Sequence, residues 1–185
     1  MKVVEVRRHS IRGSGDALSD EGRQLARRAQ STLEGKYKYC YTSPKKRAIE
    51  TLEEFGYTIF KVDEWFGPLP GEKIRPFEDR AKKIVEDQKL TLLEAFFEIE
   101  ELHPIMEEKG RELIEAVKRI CRELPDDGRA LVVSHGGAIE PAAILALEKG
   151  FSLEVLGGEL LECEGVKFFL DGGLAKRLDV IRLVK

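Results

Sequence analysis

The chain has 185 residues, of which 42% are hydrophobic and 35% charged, and it carries a net charge of −3. That composition excludes a disordered segment, and the mild acidity gives no general reason to bind nucleic acid or an acidic membrane. No run approaches the roughly 18 apolar residues of a membrane span and no signal peptide precedes the first strand, so one soluble domain without nucleic-acid or membrane partners is expected.

The first predicted element is Val3 to Ser10, VVEVRRHS, an apolar run of the kind a buried strand needs, ending in two arginines and a histidine. In open α/β sheets ligands bind at the carboxyl ends of strands. Side-chain alternation puts Arg8 on the opposite face from Arg7 and His9, so the strand must already be turning if Arg8 and His9 serve one site. Arg7 by itself reads as a solvated charge.

A Gly-rich turn, Ile11 to Gly15, leads to a helix capped by Ser19, with Asp20 and Glu21 in its first turn, running to about Glu34. Tyr37 to Thr42 reads as a second strand. Ser43-Pro44 has the form of a helix start, serine at the N-cap and proline at the first position, with the helix continuing to about Phe55. Tyr57 to Val62 reads as a third strand.

Residues 63–103 are irregular and read as an inserted cap beside the strand ends. They comprise a Pro/Gly loop around EWFGPLPGE, a charged helix from about Glu78 to Gln88, and a helix opened by the Thr91–Glu94 capping-box pattern. A long helix from about Pro104 to Leu124 has one apolar face. Arg129 to Ser134 is a continuous apolar strand, followed by a helix over residues 138–149 whose Gly136-Gly137 start allows close backbone approach to a ligand. Short edge strands are expected near Leu160–Cys163, Val166–Leu170 and Leu178–Val184. The alternation of strands and helices argues for an α/β layered fold with a mainly parallel sheet.

Three strand ends thus carry Arg8, His9, Arg47 and His135, a pattern that points to one anion-binding, histidine-based site. Basic residues bunch there (Arg7, Arg8, Arg12, Lys45, Lys46, Arg47) on an otherwise acidic chain, which fits a small anionic substrate. His103, beside Pro104 at a helix entrance, reads as structural. The three histidines show neither HExxH nor CxxC spacing, so no metal is expected. GxxxxGK[ST], GxGxxG and GxSxG are also missing, so no nucleotide cofactor or serine-hydrolase elbow is indicated.

Phosphoryl chemistry remains. Arginine forks grip phosphate oxygens, a neutral imidazole can attack phosphorus, and a second imidazole can donate to a non-bridging oxygen. Cys40, Cys121 and Cys163 are widely spaced and unpaired in pattern, which points to a reducing, cytoplasmic setting. The absence of asparagine, with only three glutamines, points to a thermophilic source.

Four stretches in order carry a resemblance. They are Arg8-His9-Ser10, the Asp16-Ala17-Leu18-Ser19 stretch with Gly22 and Gln24, Ser43-Pro44-Lys45-Lys46-Arg47-Ala48-Ile49-Glu50-Thr51, and Ser134-His135-Gly136-Gly137. Together they resemble the histidine phosphatase superfamily in its phosphoglycerate-mutase-like branch.

The resemblance implies a three-layer α/β/α sandwich with a small helical cap and a metal-independent, cofactor-free phosphomonoesterase acting on a small phosphorylated metabolite. It implies that His9 becomes phosphorylated and that Arg8, Arg47 and His135 form the phosphate pocket with the Gly136 N–H. Asp63, with Glu64 as its rival, would protonate the leaving group. Within the cap, Trp65, Phe66 and Phe77, with Lys73 or Arg75, would read the substrate.

Ser10 replaces the family glycine, and an asparagine that often contacts phosphate is missing. The chain is also short for a mutase, which favours a phosphatase. A protein phosphohistidine phosphatase, a phosphoglycerate mutase and a catalytically idle phosphate-binding module are the alternatives.

Overall fold

The structure is a computed structural model and describes residues 1–183. The strands are β1 (Lys2–Arg8), β2 (Tyr39–Thr42), β3 (Lys61–Val62), β4 (Arg129–Ser134), β5 (Gly165–Asp171) and β6 (Leu174–Ile181). They form one six-stranded sheet in the order β3-β2-β4-β1-β5-β6. The first four strands run parallel, whereas β5 and β6 are antiparallel additions beside β1. The helices are α1 (Asp20–Ala29), α2 (Lys46–Glu54), α3 (Gly71–Ile74), α4 (Glu78–Gln88), α5 (Leu92–Phe97), α6 (His103–Glu123) and α7 (Ile139–Leu147). The fold is therefore mixed α/β with a mostly parallel sheet.

Strand alternation distributes the core to both faces. Ala130 and Val132 of β4, with Val4 and Val6 of β1, pack under α6 and α7. Leu131 and Val133 face the other way, against Ala26, Ala29, Ala48, Leu52 and Phe55 of the α1–α2 side. Gly110 of α6 permits the approach of α7, because a Cβ there would lie 2.8 Å from the Pro141 carbonyl carbon.

The middle of β1 departs from the expected apolar strand. Glu5 and Arg7 are both fully buried, joined at 2.6 Å, and Tyr37 donates to the other Glu5 oxygen. Arg7 also donates to the Cys163 and Thr32 carbonyls. It is thus an internal charge rather than a solvated one, because every face of its guanidinium meets fixed acceptors.

Several expected boundaries shift. Ser19 does cap α1, accepting from the Gly22 N–H at 2.9 Å. Ser43-Pro44, however, stands before α2, whose first residue is Lys46. The third strand shortens to two exposed residues at the sheet edge. Residues 160–163 form a turn instead of a strand, while β5 lies inside the sheet against β1. The last expected strand ends at Ile181, and Val184 lies outside the described residues.

Between β3 and α6 the chain builds its own apolar cluster around Leu69, Ala81, Leu93, Phe96, Ile99, Leu102 and Met106. The Thr91–Glu94 capping box is present in full. His103 donates its Nε2–H to the Phe97 carbonyl at 2.7 Å and packs on Phe97 and Phe151, a structural role.

Candidate active site

The parallel register brings the tips together. Arg8 is paired with Ser134 across β1–β4, and Thr42 with Val133 across β2–β4, so His9, Ser43 and His135 leave the sheet at the same end. β1 ends at Arg8, which frees His9 from the alternation that would separate the two side chains. The His9 and His135 rings lie 4.9 Å apart, nearly edge to face.

Arg47, from the first turn of α2, spans both imidazoles. Its Nε donates to His9 Nε2 at 3.0 Å, and its Nη2 lies 3.2 Å from His135 Nδ1. A guanidinium can only donate, which assigns the tautomers. His9 carries its proton on Nδ1, 2.7 Å from the Ser10 carbonyl. His135 carries its proton on Nε2, 2.7 Å from Ser43 Oγ. The unprotonated Nε2 of His9 is therefore the nucleophilic atom on offer.

Burial, reinforced by Arg47 and Arg8 against the pull of the Ser10 carbonyl, lowers the His9 pKa to about 4. Burial and the neighbouring positive charges lower that of His135 to about 2. Both rings are neutral near pH 7.

Each guanidinium already has a carboxylate partner. Arg47 is paired with Asp16, which also accepts from the Lys46 N–H at 2.7 Å. Despite some burial, these contacts hold the Asp16 carboxyl below its ordinary pKa. Arg8 donates to Glu159 at 2.7 Å, to Glu162 at 3.2 Å and to the Leu160 carbonyl. Its buried Nε has no partner among the described residues.

Arg8 also lies against the His135–Gly136–Gly137 turn, since a Cβ on Gly136 would sit 3.1 Å from Cζ of Arg8. That turn is tied to the Leu160 segment by Glu140, which is fully buried and accepts from the Gly137 and Leu160 N–H groups at 2.8 and 3.3 Å. Burial pushes the Glu140 carboxyl up to about 7.

A cavity of about 400 Å³ opens over these groups. Its wall includes Arg8, His9, Arg47, His135, Gly136 and Gly137, so the residues read from the strand tips share one space. Asp63 is placed differently. It lies outside this wall, pairs with Arg119, and accepts from the Trp65 N–H at 3.0 Å. Glu64 also lies outside the wall.

The expected substrate readers are elsewhere as well. Phe66 is buried in the main core, Trp65 stacks on Arg119, and Lys73 pairs with Glu108 at 2.7 Å. Phe77 packs against the apolar cluster of residues 69–106, and Arg75 is exposed. None of the five touches the cavity; Pro68, Leu69, Ile74, Leu92, Leu93 and Phe96 do.

Asp16, Glu140 and Glu159 escaped the reading of the sequence as site residues. A lone glutamate in the apolar helix IEPAAILAL was a usable signal for Glu140. Glu159, next to two glycines in a turn, carried none. Among the described residues no three His, Cys, Asp or Glu side chains cluster as metal ligands. Among the described residues no helix is long and apolar enough to cross a membrane.

Known structures share this architecture. A phosphoserine phosphatase from Entamoeba histolytica, solved with 3-phosphoglyceric acid, is 17% identical with a TM-score of 0.68, covering 99% of this chain and 98% of its own. A mycobacterial glucosyl-3-phosphoglycerate phosphatase, solved with VO3, is 18% identical with a TM-score of 0.70 and 98% coverage of each chain. A phosphoglycerate mutase from Bacillus anthracis is 19% identical with a TM-score of 0.64, covering 98% of this chain and 92% of its own.

At such identities the likeness is one of fold. Comparison with curated protein sequences gives no significant match. The profile of the Histidine phosphatase superfamily (branch 1) matches residues 5–155, which establishes that the chain belongs to that family.

Proposed function

We propose that the protein is a phosphomonoesterase acting on small phosphorylated metabolites through a phosphohistidine at His9, without a metal. The observation that carries this reading is the His9 Nε2 lone pair, fixed by the Nδ1–H to the Ser10 carbonyl and facing Arg47 in the cavity.

The phosphoryl group enters between Arg8 and Arg47, with the Gly136 N–H as a further donor. Its oxygens take the N–H groups of Arg47 that rest on the imidazoles. The arriving phosphate raises the pKa of His135, which takes up a proton from solvent on Nδ1 and donates it in a hydrogen bond to a non-bridging oxygen as charge builds in the transition state. Nε2 of His9 forms the P–N bond as the ester P–O bond breaks. Water then attacks phosphorus as the P–N bond breaks, its proton passing to the carboxylate left on the acid, which releases inorganic phosphate and regenerates His9.

The proton for the leaving oxygen is assigned to Asp63, which must release Arg119, take up a proton from solvent and turn toward the cavity to deliver it. In Asp63→Asn, kcat/KM for an alkyl ester should fall by about 10²–10⁴ while an aryl ester, whose leaving group needs no acid, loses under tenfold. Equal losses for both esters would reassign the acid.

His9→Ala should abolish hydrolysis while leaving the circular dichroism spectrum unchanged. Arg47→Ala should cost about 10²–10³ in kcat. Undiminished turnover by His9→Ala would end the covalent scheme, and strong inhibition by EDTA would restore a metal. The same reading puts the enzyme in a reducing cytoplasm of a heat-adapted source, supported by three buried free cysteines and the charge-rich, asparagine-free sequence.

A further inference from the structure

The cavity has two chemically distinct halves, and the second half bears on substrate class. Beyond the arginines and imidazoles, its wall consists of Pro68, Leu69, Ile74, Leu92, Leu93 and Phe96, with Thr91 and Glu159 as the polar groups. The apolar part begins directly at the phosphate-binding turn. A Cβ built on Gly137 would lie 2.9 Å from Cδ1 of Leu69 and 3.5 Å from Cδ1 of Leu93. The organic half of a bound ester therefore meets leucine side chains as soon as it leaves the phosphoryl group.

Charge sharpens the point. Among the described residues lining the cavity, the cations are Arg8 and Arg47, both at the phosphoryl end. The one charged group on the remaining wall is Glu159, held between Arg8 Nη1 and the Thr91 hydroxyl with its side chain 11% exposed. A substrate with a second anionic group would place it against an apolar wall and a fixed carboxylate, with no free cation to receive it.

We infer that this site takes phosphomonoesters of uncharged, apolar alcohols, and that Glu159 excludes substrates bearing a second negative charge. The inference rests on the phosphoryl-binding reading of the site. Burial of the apolar body against the six side chains supplies the affinity, and Glu159 supplies the discrimination.

The test compares two primary alkyl monoesters, 2-phenylethyl phosphate and 3-phosphoglycerate, which share a leaving-group class but differ in charge and polarity. Wild-type kcat/KM should favour 2-phenylethyl phosphate by about 10² or more. Titration calorimetry on His9→Ala, which cannot turn over, should show the same order of affinity. Glu159→Gln keeps the hydrogen-bonding shape and removes the charge, and should narrow the preference about tenfold. Leu92→Lys, at a half-exposed rim position, should narrow it further by offering a cation.

Equal or better use and binding of 3-phosphoglycerate by the parent site would overturn the inference, as would failure of His9→Ala to bind either ester. An unchanged preference in Glu159→Gln would remove the role given to that residue. Ordered binding without any hydrolysis by wild type would leave the selectivity standing and sink the phosphatase reading instead.

Discussion

His9 and His135 show how burial keeps an imidazole neutral. With an ordinary pKa near 6.5, about 3% of an imidazole would be neutral at pH 5. His9, lowered to about 4, stays mostly neutral there. Once corrected for substrate ionisation, kcat/KM should therefore change by less than about threefold between pH 7 and pH 5. A tenfold fall over that interval would show an unshifted nucleophile.

The same shift makes folding acid-sensitive. The unfolded chain binds protons at these rings first, so the stability present above pH 6.5 is lost as the pH falls toward 4. His9 alone accounts for about 3 kcal/mol at pH 4, at about 1.4 kcal/mol per pKa unit. Glu140 works in the opposite direction. Its raised pKa means that its contribution is complete below about 4.5 and is lost as the pH rises through about 7. Two imidazoles outweigh one carboxyl, so urea midpoints should drop between pH 7 and pH 5, and His135→Gln should flatten the dependence.

At the scale of elements, Ser43-Pro44 carries the residues of a helix start yet α2 begins later. The Ser43 hydroxyl is engaged by His135 Nε2 and by the Lys45 N–H, so the site takes the group that would have capped the helix. Local preference yields to tertiary contacts of this kind. The α6–α7 crossing makes a sharper demand. Gly110→Ala would press a methyl group into the Pro141 backbone and should cost about 1–3 kcal/mol, read as a lower urea midpoint with little change in m. Ser19→Ala removes the α1 cap together with a longer bond from its hydroxyl to the Ile11 carbonyl and should cost about 1 kcal/mol.

Across the whole molecule, ion pairs add to the apolar contacts between elements. Arg23 bridges Glu50 and Glu54, and Arg27 joins Glu54, which ties α1 to α2. Networks of this kind gain weight at high temperature, where desolvating charge costs less. A thermal midpoint above about 70 °C is expected, beyond the range of about 45–65 °C where mesophile domains cluster. A midpoint inside that range would remove the heat-adapted reading.

The strand–helix order, the capping signals at Ser19 and Thr91, and the four residues Arg8, His9, Arg47 and His135 were legible in the chain, because each depends on neighbours a few positions away. Strand periodicity and strand-end chemistry are local properties. What the tertiary structure alone decided is which charges face one another: Arg7 on Glu5, Arg47 on Asp16, Arg8 on Glu159, and Asp63 on Arg119. Apart from Glu5–Arg7, these partners lie at least 31 residues apart, up to 151 for Arg8 and Glu159. Electrostatic pairing depends on distance through space, which one-dimensional spacing does not encode.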